Sequence, residues 1–258
     1  MNITIIGGGN LGTSIAAGLL ESKYTSAKNI TITRRNLQPL ESLKKRGINV
    51  QCDNNTAVKK ADIIILSVKP FQIKDVLEQT HFSKNQILVS TVTGIWLKDL
   101  KQWAGKDLRI FRVMPNTAIA VRKSITCIAH QNEDSDSVKV VSGLFDHLGS
   151  SVVIDEKLMD AATVVGACGI AFAMRYIRAC IQGGIQIGFS AEQASQIVSQ
   201  TVDGAASLLL KNHSHPEQEI DKVTTPRGCT ISGLNEMEHH GFSSSVIKGV
   251  TASFDKIA

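Results

Sequence analysis

The chain has 258 residues, which is enough to bury a sizeable core and predicts two domains. Its 43% hydrophobic and 20% charged residues are ordinary for a water-soluble globular protein. The formal net charge of +5 is mild, and no run of Lys and Arg interleaved with aromatic residues indicates a nucleic-acid partner.

The cysteines and the apolar segments bear on the cellular setting. Five cysteines are scattered without a Cys-x-x-Cys pair, which favours reduced thiols and a cytoplasmic protein. The apolar run at residues 1–6 has no basic segment before it and is too short for a signal peptide. The longest apolar stretch, residues 161–174, is shorter than a bilayer span, so we expect no membrane partner. The histidines lack an accompanying ligand set, so we expect no metal site.

A glycine-rich turn follows the first predicted strand, residues 1–6. The segment Gly7-Gly8-Gly9-Asn10-Leu11-Gly12 has the Gly-x-Gly-x-x-Gly pattern and leads into a helical stretch, residues 13–22. In a dinucleotide-binding fold the three glycines allow a tight turn, approach of the pyrophosphate, and packing of helix on strand. The helix N-terminus offers free N–H groups to the phosphates. We therefore expect a bound dinucleotide; the alternative is a glycine-rich turn in another α/β protein.

Two arginines follow the second predicted strand, residues 29–33. In NAD-binding folds an Asp or Glu at this point binds the ribose 2′-hydroxyl. This chain has Thr33, Arg34 and Arg35 instead, and guanidinium groups match the oxygens of a 2′-phosphate. The pattern therefore predicts NADPH rather than NADH. The alternative is that both arginines are merely solvated.

Short apolar runs continue the strand pattern through the first half of the chain. Helical patterns at residues 37–46 and 73–79 lie between them, which predicts a parallel sheet with helices on both faces. The clearest strand, residues 63–68, is followed by a proline stop, and ligands of such sheets bind at the carboxyl ends of the strands. The other predicted strands are residues 48–50, 87–91, 108–114, 124–129 and 151–154.

Two loops at predicted strand ends carry candidate chemistry. In Ser67-Val68-Lys69-Pro70 the lysine could contact a cofactor phosphate or ribose, and the alternative is an ordinary exposed lysine. In the segment 112–117 the Asn116 amide and the Thr117 hydroxyl could meet a nicotinamide or a substrate. The alternative for this loop is turn chemistry, because Pro-Asn is a common turn dipeptide.

After residue 155 the pattern changes to long helices. Glycines inside the first of them predict close helix–helix approach or a break near residues 166–169. The roughly 100 residues of this helical segment are too few to bury its own apolar side chains, so we expect it to pack against another copy of itself. The predicted domains are therefore residues 1–154, which bind the dinucleotide, and residues 155–258. The helical patterns are residues 157–188, 190–211, 216–223, 230–240 and 243–257.

A third loop, residues 223–230, opens one of these helices. Its proline and glycine make a sharp turn, after which the N–H groups of Gly228, Cys229 and Thr230 would be unpaired donors for a carboxylate. Thr225 and Thr230 add hydroxyl groups. The alternative is that Thr230 simply caps the helix, and the two interpretations are compatible.

The reaction chemistry is constrained by what the sequence lacks. No Cys–His or Ser–His–Asp nucleophile set is visible, and no Lys or His stands where a general base is required. A protonated imine is already an electrophile, so reduction of a C=N bond needs little help from a protein acid. Reduction of a plain ketone would usually require a Lys, His or Tyr proton donor.

Together these motifs resemble pyrroline-5-carboxylate reductase, the last enzyme of proline biosynthesis, over essentially the whole chain. The likeness rests on the glycine-rich turn, on segments 67–70 and 112–117, and on residues 223–241. The last block is the most specific, since other dinucleotide-binding proteins lack it. The resemblance implies reduction of L-pyrroline-5-carboxylate to L-proline by NADPH, sometimes NADH. It also implies an N-terminal Rossmann-like doubly wound sheet and an all-helical C-terminal domain that interleaves with a partner's to form a homodimer or higher homo-oligomer.

The resemblance also assigns roles to residues. It places the Thr230 hydroxyl near the ring nitrogen as the catalytic group and backbone N–H groups on the substrate carboxylate. It implies that the cofactor domain of one subunit and the helical core of the dimer form each site together. The substrate-binding candidates are Thr225, Gly228, Cys229 and Thr230. The cofactor-binding candidates are Ile6, Gly7, Gly8, Gly9, Asn10, Leu11, Gly12, Thr33, Arg34, Arg35, Asn54, Ser67, Val68, Lys69, Pro70 and Thr93.

Three segments depart from the usual pattern of the family. Ala118 follows Asn-Thr where the family commonly has Pro, and residues 167–171 replace a Ser-Gly-Pro-Ala stretch, with Ile170 in the place of the proline. Arg227 replaces the first glycine of Pro-Gly-Gly-Thr-Thr. A bulky cation there removes the backbone freedom that glycine provides, although it could also contact an anionic ligand. These departures keep two alternatives open: a reductase of another imine or carbonyl, and a catalytically silent nucleotide-binding relative.

Overall fold

The structure is a computed structural model of the chain and describes residues 1–105, 107–131 and 134–257. It divides into two compact units, Met1–Ile170 with the last residues of the chain, and Ala171–Lys256. The first unit is an α/β layer structure and the second is entirely helical. The predicted combination of a doubly wound sheet and a helical region is confirmed.

The first unit is built on one eight-stranded sheet. Its order is β3-β2-β1-β4-β5-β6-β7-β8, so the direction of winding reverses between β1 and β4. In open α/β sheets, ligands bind at the carboxyl ends of the strands at such a reversal. The strands are β1 (Ile3–Ile6), β2 (Ile30–Thr33), β3 (Asn49–Gln51), β4 (Ile63–Leu66), β5 (Ile87–Ser90), β6 (Arg109–Met114), β7 (Ser124–His130) and β8 (Gly149–Val153).

The sequence pattern predicted a parallel sheet, but the observed sheet contains one antiparallel pair of strands. Strand β7 runs antiparallel to β6, with Val113 opposite Ile128, and β8 is parallel to β7. A parallel crossover requires a connection of about a dozen residues or more, usually with a helix. The connection between β6 and β7, residues 115–123, contains only the 3-10 turn Thr117–Val121, and it is too short for a crossover.

Helices cover both faces of the sheet because the strand side chains alternate. In β4, Ile63 and Ile65 belong to one buried cluster and Ile64 and Leu66 to the other. Helices α1 and α6 pack in the first cluster, and α4 and α5 pack in the second. The helices of this unit are α1 (Asn10–Glu21), α2 (Glu41–Lys45), α3 (Asn54–Val58), α4 (Ile73–Gln79), α5 (Leu97–Ala104) and α6 (Ser135–Asp146).

The long helical segment after β8 begins on the sheet. Helix α7 (Met159–Ala162) leads through a π-helical stretch, Thr163–Cys168, into α8 (Gly169–Gln186). The break predicted near residues 166–169 is therefore a change of helical winding, and the chain continues through it. Met159 is buried against Met114 and Ala129. Because residues before 171 pack on the sheet, the compact units divide later than the predicted boundary at 154/155.

The second unit contains the remaining helices and buries little of its own apolar surface. They begin and end close to the predicted positions: α9 (Ala191–Asn212), α10 (Pro216–Val223), α11 (Cys229–His239) and α12 (Phe242–Asp255). Ser190 and Gln193 form a capping box at the start of α9, which fixes where that helix begins. Ala194 is the one hydrophobic residue described in this unit as buried, whereas Ile187 and Leu210 are 79% and 77% exposed.

One helical stretch, Glu156–Gln186, is long and apolar enough to cross a bilayer by length and composition. The sequence pattern underestimated the length of this segment: the apolar stretch ends at residue 174, whereas the helix continues through Arg175. Only 6% of its most apolar window is buried within the chain.

Candidate functional site

The glycine-rich turn between β1 and α1 requires glycine at two positions and is open at a third. Gly7 has φ of +111°, and a Cβ there would collide with the Ser67 carbonyl oxygen. A Cβ at Gly12 would collide with the Gly7 carbonyl oxygen. Around the Cβ position of Gly9, by contrast, no heavy atom of a described residue other than Gly9 and its two chain neighbours lies within 4 Å. The turn therefore fits a ligand that approaches the backbone at Gly9, as a dinucleotide pyrophosphate does.

Backbone hydrogen bonds hold this turn against the neighbouring strands. The N–H groups of Gly7 and Gly8 donate to the Thr33 carbonyl at 3.2 and 2.8 Å. The Ser67 N–H donates to the Ile6 carbonyl at 2.8 Å. The turn is thus fixed by β2 on one side and by the end of β4 on the other.

The N-terminus of α1 suits an anion. Gly9 precedes the helix and has no side chain to cap it, and the first turn contains no acidic residue. The Thr13 N–H donates to the Gly9 carbonyl at 2.9 Å, so the N–H groups of Asn10, Leu11 and Gly12 lack intrahelical acceptors. These donors and the positive end of the helix dipole favour a phosphate group.

The tip of β2 carries the two arginines on an exposed edge. Thr33 is buried, and its hydroxyl donates to Asn54 Oδ1 at 2.7 Å. Arg34 Nη1 donates to the Gly8 carbonyl at 2.7 Å, and Arg35 is exposed to solvent. The Thr33 hydroxyl therefore donates its single proton to Asn54, and the prediction that Thr33 binds the cofactor stays a prediction.

Asn54 is held by the cap of a short helix. Asp53 precedes α3, and its Oδ1 accepts a hydrogen bond from the Thr56 N–H at 2.7 Å. Hydrogen bonds from the Thr56 side chain and N–H lower the pKa of the Asp53 carboxyl, which favours its charged form. Because Thr33 donates to Asn54 Oδ1, the Asn54 amide nitrogen keeps its donors for another partner.

The ends of β4 and β5 complete the candidate cofactor side. Ser67 and Val68 are half-buried after β4, while Lys69 and Pro70 are exposed at the start of a 3-10 turn, Pro70–Gln72. Thr93 is half-buried after β5, the neighbour of β4 in the sheet. The structure therefore brings the candidates that follow five strands, β1 to β5, to one edge of the sheet. The exposed position of Lys69 agrees with either interpretation given to it above.

The loop after β6 is used by the fold rather than offered to a ligand. Asn116 Oδ1 accepts from the Ala118 N–H at 3.0 Å, and Asn116 Nδ2 donates to the Gly166 carbonyl at 3.1 Å. The turn interpretation is therefore confirmed for Asn116, which is 7% exposed. Thr117 is exposed.

The candidate substrate loop lies in the second unit. The Gly228 N–H donates to the Thr225 carbonyl at 2.9 Å, so the prediction that it would be an unpaired donor is wrong. Gly228, not Thr230, is the residue that precedes α11, so the prediction that Thr230 caps the helix is also wrong. No side chain caps α11, which leaves the N–H groups of Cys229 and Thr230 without intrahelical acceptors. Thr225, Cys229 and Thr230 are exposed.

Arg227 lies in this loop with φ of +62°, in the left-handed region that favours glycine. Three other described residues share such a φ, but His213 and Arg122 end helical turns and Lys23 follows the end of α1. Arg227 alone precedes a helix. The position where the family commonly has glycine is thus one where glycine would relieve strain.

A buried ion pair was missed from the sequence. Arg112, in the middle of β6, has a side chain only 3% exposed, and its Nη1 lies 3.0 Å from Glu156 Oε1. Its Nη2 lies 3.8 Å from Asp160, and its guanidinium lies 5.4 Å from the centre of the Trp96 ring. The signal was a charged residue inside an apolar strand, which demands a buried partner.

Among residues 1–105, 107–131 and 134–257, no three His, Cys, Asp or Glu side chains cluster in a way that could hold a metal ion. The polar groups of the candidate site are therefore backbone N–H groups, hydroxyl groups and arginines.

Two family models match the chain. The model described as pyrroline-5-carboxylate reductase dimerisation matches residues 156–258. The model described as NADP oxidoreductase coenzyme F420-dependent matches residues 2–94. The first match starts close to the predicted boundary at 154/155, whereas the compact units divide after Ile170, so that boundary stays a prediction.

Relatives named pyrroline-5-carboxylate reductase match along nearly the whole chain. Pyrroline-5-carboxylate reductase 2 of Dictyostelium discoideum is 41% identical, over 99% of this chain and 91% of its own. Pyrroline-5-carboxylate reductase 1 of the same organism is 47% identical over 99% of this chain, which spans only 49% of that longer relative. The crystal structure of Plasmodium falciparum pyrroline carboxylate reductase with NADP bound superposes with a TM-score of 0.90 at 26% identity, covering 100% of this chain and 97% of the other.

Proposed function

The chain belongs to the pyrroline-5-carboxylate reductase family, and we propose that it catalyses the NAD(P)H-dependent reduction of L-pyrroline-5-carboxylate to L-proline, the final step of proline biosynthesis. One observation carries the proposal: the likeness extends over 99% of this chain and 91% of a relative of that name. Both segments expected to carry the chemistry, the glycine-rich turn and the loop before α11, lie inside that likeness.

The proposed cofactor is NADPH, with NADH as the possible substitute. The open space at Gly9 and the unpaired N–H groups of Asn10, Leu11 and Gly12 support pyrophosphate binding there. Positive charge at the end of β2, where NAD-binding folds carry an acid, supports recognition of a 2′-phosphate. When bound, the reduced nicotinamide supplies the hydride. The part of the chain in the reaction is to hold and orient that cofactor.

The proposed substrate site is the start of α11. The N–H groups of Cys229 and Thr230 would hold the carboxylate, supported by the absence of any side-chain cap on this helix. The Thr230 hydroxyl oxygen would accept a hydrogen bond from the ring nitrogen of the protonated imine. Thr225 and Gly228 shape the loop through the hydrogen bond between them. A protonated imine is already electrophilic, so the chain needs to orient the ring rather than supply a strong acid.

The proposed assembly is a homodimer or a higher homo-oligomer. Most apolar side chains of the second unit are at least partly exposed, and Met174 and Ile247 are 59% and 62% exposed. A unit of this kind gains stability by burying the same surface against a second copy, as obligate dimers do. The long apolar helix Glu156–Gln186 falls inside the matched dimerisation model, which supports subunit contact rather than membrane insertion.

The proposed location is the cytoplasm, without a nucleic-acid or membrane partner. All five cysteines are free thiols, which suits a reducing compartment. The mild net charge of +5 gives no reason to expect a polyanionic partner.

A turnover assay, together with a measurement of NADPH binding, tests the proposal. Purified full-length chain is mixed with NADPH and L-pyrroline-5-carboxylate, and the loss of NADPH absorbance is followed together with L-proline formation. The proposal expects both signals at catalytic rates. Turnover only with other imines or carbonyls would identify a different reductase. Tight NADPH binding without any turnover would identify a silent relative, and either result would contradict the proposal.

A further inference from the structure

The two arginines after β2 differ in their hydrogen bonds. Arg34 Nη1 donates to the Gly8 carbonyl at 2.7 Å, and the Arg34 N–H donates to the Gln51 carbonyl at 3.1 Å. Arg35 is exposed, and within the part of the chain that the structure describes its guanidinium has no hydrogen-bond or ion-pair partner. Both side chains are exposed, but only that of Arg34 is hydrogen-bonded to the glycine-rich turn.

The Arg34 bond acts on the backbone of the cofactor turn. Gly8 is held on both sides by the end of β2, because its N–H donates to the Thr33 carbonyl and its carbonyl accepts from Arg34. Gly8 is buried, and a Cβ there would meet Leu40 at 2.8 Å. The residues that follow present the unpaired N–H groups at the start of α1. Fixing Gly8 therefore fixes the direction of donors that any dinucleotide pyrophosphate would use.

The other polar groups at this strand end are also in use. The Thr33 hydroxyl gives its one proton to Asn54, so it has none left for a phosphate oxygen. Arg35 is the group whose N–H donors are all free, and its charge lies on the exposed edge. A guanidinium with unassigned donors at this point matches a phosphate dianion.

We infer that the two arginines divide the work: Arg34 is a positioning residue that holds the glycine-rich turn for NADPH and NADH alike, and Arg35 selects NADPH by binding the 2′-phosphate. This inference rests on the proposed use of a nicotinamide dinucleotide. It goes further by separating affinity for the cofactor class from discrimination within it.

Cofactor binding without the imine substrate tests this division. Dissociation constants for NADPH and NADH are measured by calorimetry for the wild type, Arg34→Ala, Arg34→Lys and Arg35→Ala. Arg35→Ala should raise the NADPH constant roughly 10- to 100-fold, the range of a lost charge-assisted contact, and leave the NADH constant within about twofold. Arg34→Ala should raise both constants by the same factor, about tenfold. Arg34→Lys should recover part of both, since an ammonium can also donate to the Gly8 carbonyl.

Amide hydrogen exchange in the cofactor-free protein provides a second readout. Arg34→Ala should speed exchange of the Gly8 N–H, while Arg35→Ala should leave it unchanged. Selective loss of NADPH affinity in Arg34→Ala, or equal loss of both cofactors in Arg35→Ala, would overturn the inference. Unchanged Gly8 exchange in Arg34→Ala would overturn it as well. None of these measurements requires turnover, so a failure of the proposed reaction remains distinguishable from a failure of this inference.

Discussion

The buried charge of Arg112 gives an asymmetric prediction for stability. Its side chain is 3% exposed, whereas its partners Glu156 and Asp160 are 22% and 27% exposed. Removing the arginine leaves two carboxylates that water can reach. Removing Glu156 leaves a guanidinium that water cannot reach. The second change should therefore cost much more than the first.

The magnitudes follow from the partners that each variant loses. Glu156 Oε1 accepts from Arg112 at 3.0 Å and also from the Leu97 N–H at 2.6 Å. Glu156→Ala removes both bonds and should cost about 3–5 kcal/mol of unfolding free energy. Arg112→Met fills the space with an apolar chain and should cost about 1 kcal/mol or less. Asp160, at 3.8 Å, is too far to replace Glu156 fully.

Urea unfolding followed by circular dichroism measures these costs. All variants are compared at one protein concentration, because the stability of an oligomer depends on it. The matched control is Lys157→Ala, which breaks an exposed pair with Asp155 beside the same helix and should change stability by less than about 0.5 kcal/mol. If Arg112→Met cost as much as Glu156→Ala, the reasoning from unequal burial would be refuted.

Substitutions at three further positions test the candidate site, the loop before α11 and the cap of α6. Thr230→Ala should lower kcat about tenfold or more and leave the NADPH dissociation constant unchanged, while Thr230→Ser retains activity; equal rates in all three proteins would remove the hydroxyl from the mechanism. Arg227→Gly relieves a positive φ and should not lower the melting temperature, but it should raise KM for the anionic substrate about threefold at low salt, and Arg227→Lys should not. Hydrogen bonds from the Ser137 N–H and side chain lower the pKa of the Asp134 carboxyl, so its stabilising contribution is present above about pH 4 and is lost as pH falls through the lowered pKa. Asp134→Asn keeps a capping side chain and should therefore flatten the acid decline of the melting temperature; an unchanged acid profile would contradict this account.

Much of the fold was predictable because local patterns and long-range packing agree in this chain. The apolar strands, such as Ile63–Leu66, are buried on both faces and therefore read as continuous apolar runs. The glycines of the turn could be assigned because two of them face backbone atoms that leave no space for a Cβ. These features are local and steric, which is why one sequence suffices to find them.

The features that escaped prediction depend on partners that lie far away in sequence. The pairing of Arg112 with Glu156 joins β6 to the start of the helical segment, and no periodicity reveals it. The turn at Asn116 was predicted, but the hydrogen bond from its Nδ2 was not, because that bond goes to the Gly166 carbonyl, fifty positions later. The antiparallel direction of β7 follows from the length of the preceding connection, which the strand pattern alone does not weigh.

The candidate site divides in the same way. The presence of free backbone donors after the glycines could be inferred from the sequence, because a helix always leaves its first N–H groups unpaired. The residues that carry them could not, since α1 begins at Asn10, three residues before the predicted start, and the donors are therefore those of Asn10, Leu11 and Gly12. The different environments of Arg34 and Arg35 could not, since the sequence gives no reason to distinguish two adjacent arginines. Only the bond from Arg34 to the Gly8 carbonyl separates their roles.

The two units also differ in how much of their own apolar surface they bury, and this difference bears on catalysis. The glycine-rich turn lies on a unit whose described residues form three buried hydrophobic clusters, so its geometry is fixed within one subunit. The substrate loop lies on a unit whose apolar side chains are largely exposed, and it contains Arg227 at a strained φ. Strained backbone persists only where surrounding structure fixes it firmly. We therefore expect the proposed association with a second copy to fix the loop before α11, whereas the glycine-rich turn should keep its geometry without a partner.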